Sequence, residues 1–384
     1  MSRPKYEIAQ VIKQFGQDFV NQYDPNGYIL RNLNALRICR TSVLGGHKDK
    51  CDSCGHIRVS YNSCRNRHCP KCQASKQAFW VEDTTERIID TKYFHIVFTV
   101  PQVLNSICLL DSKKFYNTLF SSVWDTLRTF GYTHYGVESG ALAILHTWGQ
   151  NLSLHPHIHC LVPAAGMTLE GNFKRISKKG KYLYPIKMLS VDFRSNMMKR
   201  LKKQIKARNQ LSKYQSTIDQ AWGKEWVVFS EPSFGDAWHI IKYLGQYTHR
   251  IAISNHRIQN IDDESVSFYY KDNRDASKQK LTTLPGVEFL RRFCMHILPK
   301  SFVKIRYYGI LSNRYSKKTV LLRSNKSEKP KEKESVHQRL KRLTGFDVYK
   351  CPHCKKGQMH IIDVLPRIRS PGKFLKLKAE RLTP

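Results

Sequence analysis

The sequence predicts an α+β fold: an antiparallel sheet covered by helices, preceded by an N-terminal zinc-binding module. Two observations carry this expectation. The order strand, helix, hairpin, helix, strand, helix across residues 90–250 suits a sheet with helices packed on it. Cysteines concentrate early, and Cys51-x2-Cys54-x14-Cys69-x2-Cys72 has the spacing of a zinc ribbon, where four thiolates suit a tetrahedral ion. With 384 residues the chain can bury a core without staples, and its 11 cysteines are an odd number for a disulfide framework.

Apolar residues at Ile8, Val11, Ile12, Phe15, Phe19 and Val20 recur at helical spacing, and the Asp24-Pro25-Asn26-Gly27 turn ends that helix. The zinc module follows over roughly 30–75, and Gln73 to Thr91 reads as a helix. Tyr93 to Val100 is β-rich and stopped by Pro101, as expected of a central strand. Asp111 to Phe130 reads as a helix. Ala141 to Trp148 and His155 to Pro163 read as strands of one hairpin. Residues 192–220 read as a basic helix, Trp226 to Ser230 as a short strand. Asp236 can cap a helix that carries His239, Tyr243 and Tyr247 on one face. Short β pieces fill 251–284, Gly286 to Leu298 is helical, and Phe302 to Ile310 alternates apolar with basic residues. Residues 311–345 are polar and basic, with the composition of a linker or a nucleic-acid-hugging arm. The divisions expected are 1–90, 91–312 and 313–384.

Two patterns carry chemistry. In a strand, residues two apart share a face, so His157 and His159 can reach one divalent metal. In a helix, residues four apart share a face, so Tyr243 and Tyr247 can present two phenols to that metal. The hairpin brings His146 near both histidines as a candidate third ligand, with Gln150 the runner-up. Each pattern alone also fits a hydrogen-bonded histidine pair or an aromatic helix stripe. Charge decides between these readings. Sixty-five Lys and Arg against thirty Asp and Glu give +35, the footprint of a polyanion binder. No apolar run reaches membrane-spanning length and no signal sequence opens the chain, so a cytoplasmic protein is expected. Walker A, Rossmann and His-Glu-x2-His motifs are all missing, so no nucleotide cofactor is expected.

Further ligand-type residues, Cys39, His47, Cys64 and His68, allow a cross-braced second zinc. In that scheme Cys39, His47, Cys64 and His68 hold one ion, and Cys51, Cys54, Cys69 and Cys72 the other. His68 alternatively belongs to a basic loop, Arg65-Asn66-Arg67-His68, that touches phosphate. Cys351-x2-Cys354, with His353 and His360, looks like half a zinc site whose partners the sequence does not reveal.

The sequence resembles the two-tyrosine rolling-circle transposases of bacterial insertion sequences, the insertion-sequence-91 family of HUH enzymes. The resemblance rests on Cys51-Asp52-Ser53-Cys54-Gly55-His56, Cys64-Arg65-Asn66-Arg67-His68-Cys69-Pro70-Lys71-Cys72, Tyr93 to Pro101, His146 to Leu152, His155-Pro156-His157-Ile158-His159-Cys160 and Tyr243 to Asn255. It implies an HUH nuclease domain behind the zinc module, with His157 and His159 as metal ligands and Tyr243 and Tyr247 as nucleophiles. Gln246 is a further candidate third ligand. The resemblance implies a magnesium or manganese ion and a single-stranded DNA substrate, nicked through a 5′-phosphotyrosine. Candidate DNA contacts are Arg65, Arg67, Arg250, Lys304 and Arg306, with Tyr307 and Tyr308 for base stacking. The rival readings are a relaxase or replication initiator with the same chemistry, and a non-catalytic zinc DNA-binding protein.

Overall fold

In the computed structural model, the described residues are 4–176, 183–232, 237–248, 252–272, 275–315 and 334–368, with Thr319 and Leu322. The central layer is a five-stranded antiparallel sheet: β3 (Tyr93–Thr99), β4 (Gly140–Trp148), β5 (Leu154–Pro163), β8 (Val228–Pro232) and β12 (Ile305–Gly309). Its order is β12-β4-β5-β3-β8, and every neighbouring pair is antiparallel. The expected α+β class and sheet are present.

Alternation along each strand sorts side chains to two faces. Ala141, Ala143, Leu145, Ile158, Cys160 and Val162 face one core, built against α5 (Ser112–Tyr135) and α6 (Ile186–Lys206). Leu142, Ile144 and Leu161 face the other, under α3 (Ala74–Thr85) and α8 (Ala237–Thr248). Helices on both faces explain why β4 is buried along almost its whole length and reads as a continuous apolar run. The Asp111 carboxylate accepts from the Lys114 N–H and starts α5, and Gly136 in the left-handed region ends it. The expected single basic helix over 192–220 is instead two, α6 and α7 (Leu211–Gly223), separated at Asn209, whose φ is 54°.

A second core lies beside the sheet. It joins α1 (Ile8–Tyr23), α2 (Gly27–Arg37), the three-stranded sheet β9 (Ile258–Ile261), β10 (Ser265–Asp272), β11 (Lys278–Pro285), and α9 (Gly286–Met295). At the start of α9 a Cβ on Gly286 would lie 2.3 Å from the Phe15 ring, so the glycine allows the two helices to meet. Residues 8–39 therefore share one core with 252–297, and packing crosses the expected boundary at residue 90.

The third sheet joins the two ends of the chain. β1 (Gly46–Cys51) lies between β2 (Ile57–Tyr61) and β13 (Met359–Leu365), antiparallel to both. The basic stretch expected to be a linker includes helix α10 (Val336–Thr344). Ser335 and Gln338 close its capping box, and Arg339 and Arg342 pair with Glu82 on α3. These cations find carboxylates of the same chain. Among the described residues no helix is long and apolar enough to cross a membrane.

Candidate functional site

The β4–β5 hairpin positions three imidazoles on the α8 side of the sheet. His146 stands opposite His157 in the register, and His159 lies two residues further along β5. Ligand nitrogens of all three lie within 4.8 Å of one another. His146 and His159 are buried, and burial pushes both well below the usual imidazole pKa, with neighbouring histidines adding to the effect. Burial brings His157 to about 4. All three rings are therefore neutral near pH 7, the state a metal ligand needs. The His157 Nδ1 sits 2.7 Å from the His155 carbonyl and donates to it, so Nε2 carries the lone pair. The backbone carbonyl of Gln150 accepts from Arg257.

His95 on β3, which the sequence reading passed over, completes the arrangement. Its Nε2 is 2.9 Å from His159 Nδ1, and the two rings stack. If His159 donates from Nδ1 to His95, Nε2 is the nitrogen that carries its lone pair. The same His95 ring meets the edge of Tyr243 at 6.1 Å. Burial brings His95 to about 4. One signal for it was available: a lone histidine in an apolar strand, an even number of residues from Tyr93 and so on one face with it.

Helix α8 presents Tyr243 by packing its other side. Ile241 and Leu244 are fully buried against Leu142, Ile144 and Leu161, while Tyr243 is 45% exposed. Gly245 sets the spacing: a Cβ there would lie 2.4 Å from Val81 Cγ2 on α3. Tyr247 falls within α8, but its side chain and that of Gln246 lie outside the described residues, as do Asp236 and Arg250 entirely.

The cysteines sort into two groups of four, and the sorting corrects the expected ligand sets. Cys69 and Cys72 join Cys39 and Cys64, whereas Cys51 and Cys54 join Cys351 and Cys354. The first group packs in the second core among α1 and α2 residues, and the other forms its own small cluster. β1 and β2 carry the Cys51–Cys54 turn away from the first group, so the four-cysteine set read from spacing does not assemble. His47 and His68 belong to neither group. His47 lies 3.5 Å from Asp49. His68 is buried between Asn32 Oδ1 at 3.2 Å and the Leu298 N–H, which donates to its Nε2 at 3.1 Å. Both its nitrogens are occupied, and burial brings its pKa to about 3. Each group holds a thiol drawn towards thiolate: the Cys64 and Cys69 thiols bring Cys39 to about 7, and the Gly357 and Lys356 N–H groups bring Cys354 to about 6.

Of the basic candidates, Arg65 is exposed. Arg67 instead donates to the Phe302 carbonyl at 2.7 Å, locking its loop to the segment that leads into β12. Arg306 donates to Asn117 and lies 4.0 Å over the Phe120 ring, on the sheet face away from the histidines. Burial, with Arg67 nearby, brings the Lys304 ammonium to about 7. Tyr308 stacks on Trp124 and Tyr307 packs under α3, so these aromatics serve the fold.

Comparison with known proteins agrees with this arrangement. The putative transposase family matches residues 140–319, which hold the histidine trio and α8, and the transposase zinc-binding domain matches residues 11–100. The chain is 37% identical over 97% of its length to a putative transposase, y4qJ, of Sinorhizobium fredii (strain NBRC 101917 / NGR234), covering 99% of that protein. It is 28% identical over 74% of its length to the transposase for insertion sequence element IS801 of Pseudomonas savastanoi pv. phaseolicola, covering 70% of that protein. No solved structure matches. A zinc-binding domain, a transposase domain and a relative matched nearly end to end leave one assignment: the chain belongs to the IS91 family of insertion-sequence transposases.

Proposed function

We propose that this transposase nicks and rejoins single-stranded DNA at the ends of its element, with a tyrosine of α8 as nucleophile. The observation that carries this reading is one chain of contacts: exposed Tyr243 touches His95, and His95 bonds His159 of the three-histidine group. A phenol and a neutral imidazole cluster stand side by side on a chain of charge +35.

His146, His157 and His159 fit a divalent cation, magnesium or manganese by the family resemblance, since three neutral nitrogens converge within 4.8 Å. Such a cation, when bound, polarises the scissile phosphate and offsets its growing charge. His95 and the His155 carbonyl hold the two strand rings with Nε2 forward. Tyr243 Oη attacks phosphorus and loses its proton. The bond to the 3′ oxygen breaks, and that oxygen takes up a proton as the free 3′-OH. The 5′-phosphotyrosine keeps the energy of the broken link, so joining needs no nucleotide triphosphate. Tyr247, one turn along the same helix, serves the second cleavage. A single strand suits the site because its phosphodiester can be lifted to an exposed phenol. The zinc of the zinc-binding domain is held by Cys39, Cys64, Cys69 and Cys72.

The test is cleavage of labelled single strands from the element's flanks, with and without manganese, followed by peptide mapping of the covalent product. A metal-dependent nick with DNA on Tyr243 or Tyr247 is the expected result. An adduct on any other residue overturns the assignment.

A further inference from the structure

The transposase zinc-binding domain ends at residue 100, yet two cysteines from that region meet two from the far end of the chain. We propose that Cys51, Cys54, Cys351 and Cys354 bind a second zinc ion, which staples the C-terminal strand to the N-terminal hairpin.

The sulfur positions fit an ion. Cys51 Sγ is 3.8 Å from Cys354 Sγ, and Cys54 Sγ is 3.8 Å from Cys351 Sγ. Zinc–sulfur bonds of about 2.3 Å in a tetrahedron put neighbouring sulfurs about 3.8 Å apart. A disulfide would need about 2.05 Å. The donor set is four thiols with no carboxylate among them, which selects a soft or borderline metal.

The backbone is shaped as two matching knuckles. In one, the Gly55 N–H donates to the Cys51 carbonyl at 3.2 Å, and Gly55 has φ 69°. In the other, the Lys355 N–H donates to the Cys351 carbonyl at 3.1 Å, and Lys355 has φ 58°. A lysine in the left-handed region is uncommon, and here it repeats the glycine of the other turn. The Cys51 N–H donates to the His56 carbonyl and the Cys351 N–H to the Gly357 carbonyl, both at 2.9 Å. The Gly357 N–H points at Cys354 Sγ from 3.4 Å. A Cβ on Gly357 would lie 2.6 Å from Cys51 Sγ, so only glycine lets that turn close over the sulfurs.

Packing gives an independent reason for a staple. Along β13 only Met359 is buried, and Ile361, Ile362 and Val364 are exposed. The local apolar cluster is Cys51, Cys351 and Met359, with Cys354 against it. Burial of one methionine is too little to hold a seven-residue strand against its conformational entropy. A small unit of this kind relies on metal or disulfide cross-links.

The full-length chain, purified under reducing conditions, tests this by metal analysis and by alkylation with mass spectrometry. The variant C351S/C354S is expected to hold one zinc fewer than wild type, and C54S the same. Equal zinc content overturns the proposal. Wild type alone gives a second reading that no folding failure can obscure. Cys51, Cys54, Cys351 and Cys354 should resist alkylation together and become reactive together when a chelator is added. Cys351 or Cys354 reacting while Cys51 and Cys54 stay protected overturns it, and so does a disulfide within the set.

Discussion

The two cysteine groups use the same four sulfurs in opposite settings. Cys39, Cys64, Cys69 and Cys72 come from 34 consecutive positions and sit in a core with α1, α2 and α9. Cys51, Cys54, Cys351 and Cys354 come from both ends of the chain and sit at the edge of a mostly exposed sheet. The inner group is part of a hydrophobic core that already excludes water. The outer group stands almost alone, with hardly any core to help it. The same ligands thus stand in different settings: one ion would be built into a hydrophobic core, and the other would stand where there is hardly any core.

The strongest way to break this contrast is Cys69→Ser. Cys69 is fully buried in the second core, and structural zinc contributes about 10–16 kcal/mol, comparable to the whole stability of a domain at about 5–15 kcal/mol. We expect the second core to lose its cooperative transition in calorimetry, while the central sheet, with its separate core, still melts. A melt like that of wild type would mean the inner core does not depend on its metal.

The histidine trio supplies the next test, because it should affect chemistry and leave both sulfur groups intact. His159→Ala should reduce nicking to background, with melting temperature and salt-dependent DNA binding nearly unchanged, since binding rests on lysines and arginines. Loss of DNA binding in that variant would make the trio structural. His95→Ala should cost roughly 10–100-fold in metal affinity or nicking rate, the range for groups that orient a ligand. Full activity there would separate His95 from the site.

Chelation sharpens the comparison by rate. Each group has two buried cysteines, but Cys54 of the outer group is exposed, whereas no cysteine of the inner group is. Under a slow chelator the outer zinc should leave first, with the central sheet still protected in hydrogen exchange. Simultaneous loss of both ions would show that the two groups unfold as one unit. A smaller effect is expected from Arg339→Ala, which removes ion pairs to Glu82 and Asp83 between α10 and α3. Arg339 and Glu82 are partly buried and Asp83 is exposed, so about 1 kcal/mol and a melting temperature lower by a few degrees are expected. Finally, burial holds His296 at about 4 against an ordinary 6.5. The unfolded chain then takes up its proton first, so stability should fall as pH drops from about 6.5 towards 4. His296→Gln should make that decline shallower, measured by denaturant melts across the range, with the other buried histidines keeping the rest of it.

Much of this was legible in the sequence. Strand alternation and the Pro101 stop located β3, and the His157–His159 spacing located one face of β5. Those signals are local, and period two in a strand admits only two faces. The zinc ligands failed for the complementary reason. Spacing identifies a turn able to offer two thiols but says nothing about which other turn it meets. Cys51 and Cys54 met partners delivered by β13, whose exposed Ile361, Ile362 and Val364 gave no burial pattern to read. His68 misled because a histidine among cysteines looks like a ligand, while its neighbour in space is the Leu298 N–H, 230 positions away. Helix α10 was hidden by charge: its arginines look solvated until Glu82 and Asp83 are seen opposite them.

The split outer site also has a history in time. Cys54 and Cys351 are 297 positions apart. At about 5–20 residues per second, the ribosome delivers the second knuckle roughly 15–60 s after the first. Through that interval the first pair of thiols waits half-coordinated, while the inner cysteines already have all four of their sulfurs. A chain that stops short of Cys351 leaves the first pair without its partners. The outer zinc therefore reports that synthesis has passed residue 354.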